Sequence, residues 1–190
     1  MNEPIKIRPA QPEDAEVASV LLHSAYTHQQ ETYPLPEEHE NRFLKYLQHF
    51  FRTAGNRFSY QYIQVAEHNG SVIGLVLSFA GKDEERLNAA TGWQLEREAE
   101  DDEWYVDALA VLANWGRKGI GTHLLQTAEQ LARRYHYTKI ALHVARENKQ
   151  ARSFYHGLQY GVTQQTLLYQ RPYVRMVKVL DNSQELLDEL

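Results

Sequence analysis

A run of glycines and cations past the middle of the chain has the composition of a phosphate-binding loop. Residues 115–125 read Trp-Gly-Arg-Lys-Gly-Ile-Gly-Thr-His-Leu-Leu, so three glycines and two cations stand at the predicted start of a helix. The free N–H groups and the dipole of a helix N-terminus favour an anion. Glycine lets that ligand approach the backbone closely. The segment predicts a phosphorylated ligand, although a plain helix-start turn explains the glycines alone equally well.

The loop follows a strand-like run, Trp104 to Val111. Because side chains alternate between the faces of a strand, we expect Tyr105, Asp107, Leu109 and Val111 to share one face. Asp107 is the carboxylate among these four side chains. The strand therefore predicts a carboxylate close to the loop.

Composition excludes several classes of protein. The 190 residues carry a net charge of −5 and 43% hydrophobic side chains, which fits one globular domain without a broad basic surface for nucleic acid. The absence of cysteine excludes disulfides, thiolate zinc sites and cysteine nucleophiles. No run approaches the roughly 20 apolar residues of a membrane span, and the first residues lack the apolar core of a signal peptide. We expect a cytoplasmic protein that does not bind membranes.

Histidines are numerous, but their spacing does not indicate a metal site. The chain has nine of them, and none forms a His-x-x-x-His or Glu-x-x-His pair on a predicted helix. We therefore expect no bound metal.

Hydrophobic periodicity predicts the order β-α-α-β-β-β-α-β-α-β-β, which is one α/β domain around a mixed sheet. Asn69-Gly70 predicts a hairpin turn, and Pro172 is expected to separate the last two strands. Residues 81–103 are polar and predict a long connection, with a helical turn over Lys82 to Asn88. We expect a single domain over residues 1–180, followed by an acidic tail over residues 181–190.

The order of elements and three motifs together resemble the GNAT superfamily of acetyl-CoA-dependent N-acetyltransferases over roughly Ile5 to Val179. The strand and glycine loop resemble the family's Gln/Arg-x-x-Gly-x-Gly/Ala pyrophosphate motif. Residues 148–155, Asn-Lys-Gln-Ala-Arg-Ser-Phe-Tyr, are similar to its Asn-x-x-Ala-x-x-(apolar)-Tyr helix. The terminal pair of strands is the third piece. Gly116 stands where the family usually has Gln or Arg, and Arg117 and Lys118 keep the loop basic.

The resemblance implies a mostly antiparallel sheet with splayed central strands, and acetyl-CoA as co-substrate. Backbone N–H groups of the loop would hold the pyrophosphate, and the end of the preceding strand would pair with the pantetheine arm, with an N–H near Val111 facing the thioester oxygen. Asn148 would cap its helix and contact coenzyme. The implied coenzyme-binding residues are Leu109, Ala110, Val111, Gly116, Arg117, Lys118, Gly119, Ile120, Gly121, Thr122 and Asn148.

The resemblance also implies acid–base roles. Tyr155 is the candidate general acid, since a phenol with a pKa near 10 can protonate a departing thiolate; a core tyrosine packed against the coenzyme is the alternative. Asp107 is the leading candidate for the base or the ammonium anchor, and Glu103 is the second. A structural hydrogen bond from Asp107 to a neighbouring loop fits the sequence equally well.

The acceptor would be a primary amine on a small molecule or a peptide. We expect its pocket to draw on the first helices and on the loops near the central strand, with Tyr26, His28, Tyr33, Trp93, Glu103 and Trp104 as candidates. The acidic run from Glu96 to Glu103 could steer a cationic amine, although a solvated loop is the more usual role for such a run.

Other interpretations of the glycine loop are less well supported. A true P-loop would end in Gly-Lys-Ser/Thr, and a dinucleotide-binding fold would place the loop after a first strand within a βαβ unit. A non-catalytic acyl-CoA sensor on the same fold stays open. A homodimer through the terminal strands or the tail is also compatible with the sequence.

Overall fold

The computed structural model describes residues 4–27 and 37–181, in which seven strands form one open sheet with the order β1-β2-β3-β4-β5-β7-β6. All neighbouring strands are antiparallel except the β4–β5 pair. The strands are β1 Lys6–Pro9, β2 Ile63–His68, β3 Ser71–Ala80, β4 Trp104–Val111, β5 Lys139–Ala145, β6 Gly161–Leu168 and β7 Arg171–Val179. The predicted α/β class and the mostly antiparallel sheet are confirmed.

Helices cover both faces of the sheet. They are α1 Ala15–Thr27, α2 Glu37–Arg52, α3 Glu84–Ala89, α4 Ile120–Arg134 and α5 Lys149–Gly157. One core packs α1 and α2 against the sheet, with Leu22, Leu47 and Leu75 fully buried. The second core packs the apolar stripe of α4 against the opposite face through Leu124 and Leu125. Since β3 contributes to both cores, its near-continuous apolar sequence follows from its central place.

The two central strands separate after a short contact. The register of β4 and β5 contains only the pairs Trp104↔Ile140 and Tyr105↔Ala141, although β4 continues to Val111 and β5 to Ala145. The later residues of both strands therefore border a gap in the sheet. The predicted splayed strands are present.

A β-bulge in β4 changes which side chains share a face. Leu77 pairs with Ala108 and Ser78 with Val106, so Asp107 is an extra residue without a partner on β3. Ala108 therefore packs into the α1/α2 core, whereas Val111 packs against the α4 core. The expectation that Asp107 and Val111 share one face is wrong, because simple alternation cannot register an inserted residue.

Two of the predicted turns are present in the structure, and a third lies elsewhere. The Asn69-Gly70 turn joins β2 to β3, and a helical turn over Gly81–Asp83 leads into α3 within the long connection. Pro172 does not separate the last strands but lies inside β7, opposite Leu167. The turn is formed by Tyr169 and Gln170, both with positive φ, of 51° and 62°. The acidic tail lies outside the described residues apart from Asp181.

The helices of the described segments are all too short or too polar to cross a membrane.

Candidate active site

The glycine loop forms a groove at the N-terminus of α4. Gly119, with a φ of 79°, is the N-cap, and the first backbone bond of the helix runs from the His123 N–H to the Gly119 carbonyl at 3.0 Å. The N–H groups of Ile120, Gly121 and Thr122 therefore have no partner within the helix. A Cβ added at Gly119 would meet no atom within 4 Å. The loop and its free N–H groups thus fit a diphosphate.

The cations of the loop differ in placement. Arg117, with a φ of 60°, lines the groove, which has a volume of about 560 Å³. The Lys118 ammonium lies 4.3 Å from the centre of the Trp115 ring in a cation–π contact, and Lys118 is not among the lining residues. Gly116 lines the groove in the place of the usual Gln or Arg. Backbone groups and Arg117, rather than a second side chain, therefore face an anion here.

The far end of β4 offers free backbone groups to the gap. The Leu112 N–H donates to the Ile73 carbonyl on β3 at 2.9 Å. Because backbone groups alternate along a strand, the N–H and carbonyl of Val111 point the other way, toward the gap beside β5. Leu109 has the same orientation. A ligand lying in the gap can pair with β4 as an added strand would.

The opposite wall of the groove comes from α5. The Asn148 side chain accepts a hydrogen bond from the Ala151 N–H at 3.0 Å, as an N-cap does. Asn148, Gln150 and Tyr155 all border both the groove and a second cavity of about 570 Å³ inside the strand gap. Burial raises the pKa of the Tyr155 phenol above its ordinary value, so this side chain keeps its proton at neutral pH.

The second cavity continues into a third, of about 500 Å³, through Asp107 and His143, which line both. Aromatic side chains make up much of the wall of this third cavity. They include Tyr26, Phe43, Phe58, Trp93, Tyr105, Tyr169 and Tyr173. The three cavities form one path from the glycine loop, through the strand gap, to an aromatic pocket on the α1/α2 face.

A buried arginine organises the floor of this aromatic pocket. The Arg57 guanidinium, 3% exposed, binds both carboxylate oxygens of Asp107, at 2.6 and 3.1 Å. It also reaches Glu98 at 3.0 Å and Glu84 at 3.4 Å. The Tyr26 hydroxyl donates to Asp107 at 2.6 Å. One guanidinium therefore faces three carboxylates.

The surroundings shift the pKa of these acids. Burial raises the pKa of Glu98, the positive charge of Arg57 opposes that shift, and the Asp107 charge adds to it. Burial also raises the pKa of Glu84, against hydrogen bonds from the Ala99 and Glu98 N–H groups. The carboxylates of Glu84 and Glu98 are thus more readily protonated than free ones.

His143 on β5 is linked to this floor through a tyrosine. The Tyr105 hydroxyl donates to Glu98 at 2.7 Å and lies 3.1 Å from Nδ1 of His143. Because the single hydroxyl proton goes to Glu98, a neutral His143 must donate from Nδ1, which leaves the Nε2 lone pair free. Burial and the Arg175 charge lower the pKa of His143 to about 4. The imidazole is therefore neutral at pH 7.

The candidate acceptor residues are distributed unevenly. Tyr26 and Trp93 line the aromatic pocket. Glu103 is buried in an ion pair with Arg175, and it lines none of the three cavities. Trp104 lies on the opposite face, stacked on Tyr135. Trp104 faces away from the pocket because it alternates with Tyr105 along β4, and Glu103 is held in the interior by its ion pair. His28 and Tyr33 lie outside the described residues.

Asp107 occupies the junction of two cavities, but its carboxylate is already bound by Arg57 and Tyr26. Of the two roles that the sequence leaves open, this geometry favours the structural hydrogen bond.

Sequence reasoning missed the pairing of Arg57, Glu84 and Glu98, and it considered His143 only as a metal ligand. Glu98 belongs to the acidic run that is expected to be solvated, yet its side chain is 12% exposed. Arg57 stands 50 residues from Asp107, and no local pattern joins them. The usable signal is that Arg57 is a single cation placed directly before the aromatic segment Phe58-Ser59-Tyr60.

The comparisons with known proteins agree with this geometry. The model of the acetyltransferase (GNAT) family matches residues 22–160, so the chain belongs to the GNAT family of acetyltransferases. A search of curated proteins gave no match.

Solved structures give the same assignment of the fold. An N-acetyltransferase from Staphylococcus aureus Mu50 is similar over 91% of this chain and 100% of its own, with a TM-score of 0.79 and 26% identity. PaiA N-acetyltransferase from Thermoplasma acidophilum, solved with coenzyme A, is similar over 93% of this chain and 99% of its own, with a TM-score of 0.64 and 16% identity. Naa50 from Arabidopsis thaliana, solved with the bisubstrate analogue CoA-Ac-MVNAL, is similar over 93% of this chain and 99% of its own, with a TM-score of 0.56 and 17% identity.

Proposed function

We propose that this protein is an N-acetyltransferase that moves an acetyl group from acetyl-CoA to a primary amine by direct attack in a ternary complex. The observation that carries the proposal is the continuous path from the glycine groove, through the gap between β4 and β5, to an aromatic pocket. A donor and an acceptor that enter from opposite ends meet in the strand gap.

The coenzyme end uses backbone groups more than side chains. The N–H groups of residues 120–122 and the Arg117 side chain would hold the diphosphate. The outward backbone groups of Leu109 and Val111 would pair with the amides of the pantetheine arm, as in strand addition. Acetyl-CoA would supply the activated acetyl group, and the Val111 N–H would donate a hydrogen bond to the thioester oxygen as that oxygen gains negative charge.

Tyr155 would act as general acid. Its phenol borders both the coenzyme groove and the strand gap, and its raised pKa keeps the proton available for a departing thiolate.

His143 replaces Asp107 as our proposed proton acceptor. Its side chain borders the strand gap and the aromatic pocket, and the hydrogen bonds from Nδ1 to Tyr105 and from Tyr105 to Glu98 leave Nε2 free. A neutral imidazole of low basicity can accept the proton that the neutral amine loses as it attacks the thioester, directly or through water, because the nitrogen becomes strongly acidic once it bonds to the carbonyl carbon. Asp107 then serves as a positioning residue that holds Arg57 and Tyr26 in the pocket wall.

The acceptor pocket favours an amine with an apolar part. The charged side chains that line the pocket are Arg57, Arg171, Glu98 and Asp107, so carboxylates and guanidinium groups are present there in equal number. Trp93 and the surrounding phenylalanines and tyrosines supply faces for apolar groups and for cation–π contact. Both a small molecule and a peptide N-terminus meet these requirements.

The decisive experiment has two steps. Calorimetry first measures the binding of acetyl-CoA, and thiol release is then followed with a panel of amines that includes alkyl, aromatic and peptide members. Binding together with amine-dependent thiol release supports the transferase. Binding without release from any amine favours an acyl-CoA sensor, and failure to bind acetyl-CoA refutes the proposal.

A further inference from the structure

An open groove of about 530 Å³ runs between α5 and the edge strand β6, on the side of α5 that faces away from the coenzyme groove. We call it the α5–β6 groove. Its lining consists of Lys149, Arg152, Ser153, His156, Gly157, Val162 and Met176. None of these residues lines the three cavities of the candidate active site. The acetyl-transfer proposal therefore leaves this groove without a role.

The α5–β6 groove carries positive charge without a counter-charge. Lys149, Arg152 and His156 line it, and no carboxylate is among its lining residues. None of these three side chains is paired with a carboxylate in the part of the chain that the structure describes. The first turn of α5 has no acidic residue, although the helix dipole favours negative charge there. The groove is therefore a site that attracts carboxylates.

The same side of α5 is poorly covered. Val162 is 50% exposed, and no residue of α5 is fully buried. A segment that covers this side would need acidic and apolar side chains together. Because α5 supplies Tyr155 to the coenzyme groove on its other side, such cover would also brace one wall of that groove.

The acidic tail has the matching composition. Residues 182–190 contain three carboxylates, three leucines and no cation. The described chain ends at Asp181, directly after Leu180, which packs into the same core that α5 contacts. The chain therefore leaves the sheet on the side where α5 lies.

The tail is also long enough to reach the groove. Val177 pairs with Gly161, shortly after α5 ends at Gly157, so the ends of β7 and α5 lie at the same end of the sheet. Asp181 lies at most about 14 Å beyond Val177, and α5 is about 13 Å long. The nine residues that follow can span up to about 30 Å. They can therefore return from the end of β7 and follow the whole groove.

Covalent attachment favours the tail over a free acidic partner. Exposed ion pairs are individually weak. A segment joined to the protein by a short link is nevertheless present at an effective concentration of about millimolar. Contacts too weak to hold a separate peptide can therefore hold the tail.

We propose that the α5–β6 groove is the docking site of this chain's own residues 182–190. Glu185, Asp188 and Glu189 would pair with the cations of the groove, and the leucines of the tail would cover Val162. Docking requires no acetyl transfer, so it can be tested whether or not the proposed function holds.

The absence of cysteine allows a single probe to be placed on the tail. One cysteine is added after Leu190 of the full chain and carries a nitroxide spin label. The label broadens the amide resonances of nearby residues in the ¹⁵N-labelled protein, and reduction with ascorbate supplies the reference spectrum. We expect broadening along α5, strongest at its start, near Lys149 and Arg152.

Charge reversal tests the contacts. Lys149→Glu together with Arg152→Glu should abolish the broadening of α5. The further substitutions Glu185→Lys and Glu189→Lys should restore it in that protein. Lys45→Glu, at an exposed position of α2, is the matched control and should leave the broadening unchanged.

A mixed sample distinguishes the protein's own tail from that of a second copy. Spin-labelled protein without ¹⁵N is mixed with ¹⁵N-labelled protein without the spin label, and we expect no broadening of α5. Broadening in this mixture would refute docking within one chain. Resonances of α5 that are unaffected by the attached label, or equal broadening before and after charge reversal, would also overturn the proposal.

Discussion

At the scale of single residues, Tyr155 offers the most direct test of the proposed chemistry. Tyr155→Phe should lower kcat by about 10²-fold or more, the usual contribution of a general acid, with little change in the Kd of acetyl-CoA, because the ring that packs beside the groove is kept. Steady-state kinetics and calorimetry measure the two quantities.

Tyr160→Phe is the matched control for this variant. The Tyr160 hydroxyl donates to Glu129 in the interior and lines none of the three cavities of the site. Loss of this hydroxyl should lower stability and leave kcat unchanged. Full activity in Tyr155→Phe would remove Tyr155 from the mechanism.

His143 should make stability depend on pH. Burial and Arg175 lower its pKa in the folded state from 6.5 to about 4, so the unfolded chain binds the extra proton first as the pH falls. The stabilisation by the neutral imidazole is complete above pH 6.5 and is lost between pH 6.5 and 4, by at most about 3 kcal/mol.

The measurement is urea unfolding of the native protein and of His143→Gln across this range. The native protein should lose more of its free energy of unfolding than the variant as the pH falls. Parallel curves would show that His143 titrates normally. We also expect His143→Gln to lower turnover while its affinity for acetyl-CoA is unchanged.

Single residues also show which contacts can be predicted from the sequence and which cannot. The cap by Asn148 is predictable because the cap and its helix are adjacent in sequence, and the structure has the predicted hydrogen bond. The contacts of Arg57 with Asp107 and of His143 with Tyr105 join segments 50 and 38 residues apart. Such partners are set by the tertiary fold and leave no local pattern.

At the scale of elements, the start of α4 controls the coenzyme groove. A Cβ at Gly121 would meet Phe154 at 3.6 Å and Val111 at 4.0 Å, which is ordinary contact, so the fold tolerates a side chain. Gly121→Val should still weaken acetyl-CoA binding by about tenfold or more, because its methyl groups occupy the groove beside the free N–H groups. Calorimetry on the folded variant provides the measurement.

Gln126→Val, at an exposed position of the same helix, controls for the cost of a β-branched residue in α4. Equal affinity in both variants would refute the role of the glycine loop as a phosphate site.

The elements themselves follow closely from periodicity, and the exceptions have local causes. Strand β4 runs from Trp104 to Val111 as expected. The bulge at Asp107 was not predicted, because its inserted residue is apparent only in the register with β3. The last hairpin turns at Tyr169 and Gln170 with positive φ, a conformation that their residue types do not suggest. Pro172 was therefore the more obvious, and wrong, choice of turn.

At the scale of the whole molecule, Arg57 ties α3, the acidic connection and β4 together. Arg57→Gln should destabilise the fold by about 3–5 kcal/mol at pH 7, because it leaves carboxylates buried without a counter-charge. The loss should shrink as the pH is lowered, since burial has raised the pKa of Glu84 and Glu98 and these acids can become neutral.

Chemical unfolding at pH 7 and pH 5 tests this prediction. Arg42→Gln is the control, because the pair of Arg42 with Glu38 is exposed and should contribute little. A similar effect of the two substitutions would contradict the organising role of Arg57.

The short contact between β4 and β5 has a consequence for the dynamics of the sheet. Beyond the pair of Tyr105 and Ala141, β4 and β5 have no further paired residues, so the amide protons of Leu109 and Val111 face the gap instead of a neighbouring strand. These amides should exchange with solvent deuterium far faster than those of Ala110 and Leu112, which face β3. If the pantetheine arm pairs here, saturating acetyl-CoA should slow their exchange selectively, so that the co-substrate acts for a time as a missing strand of the fold.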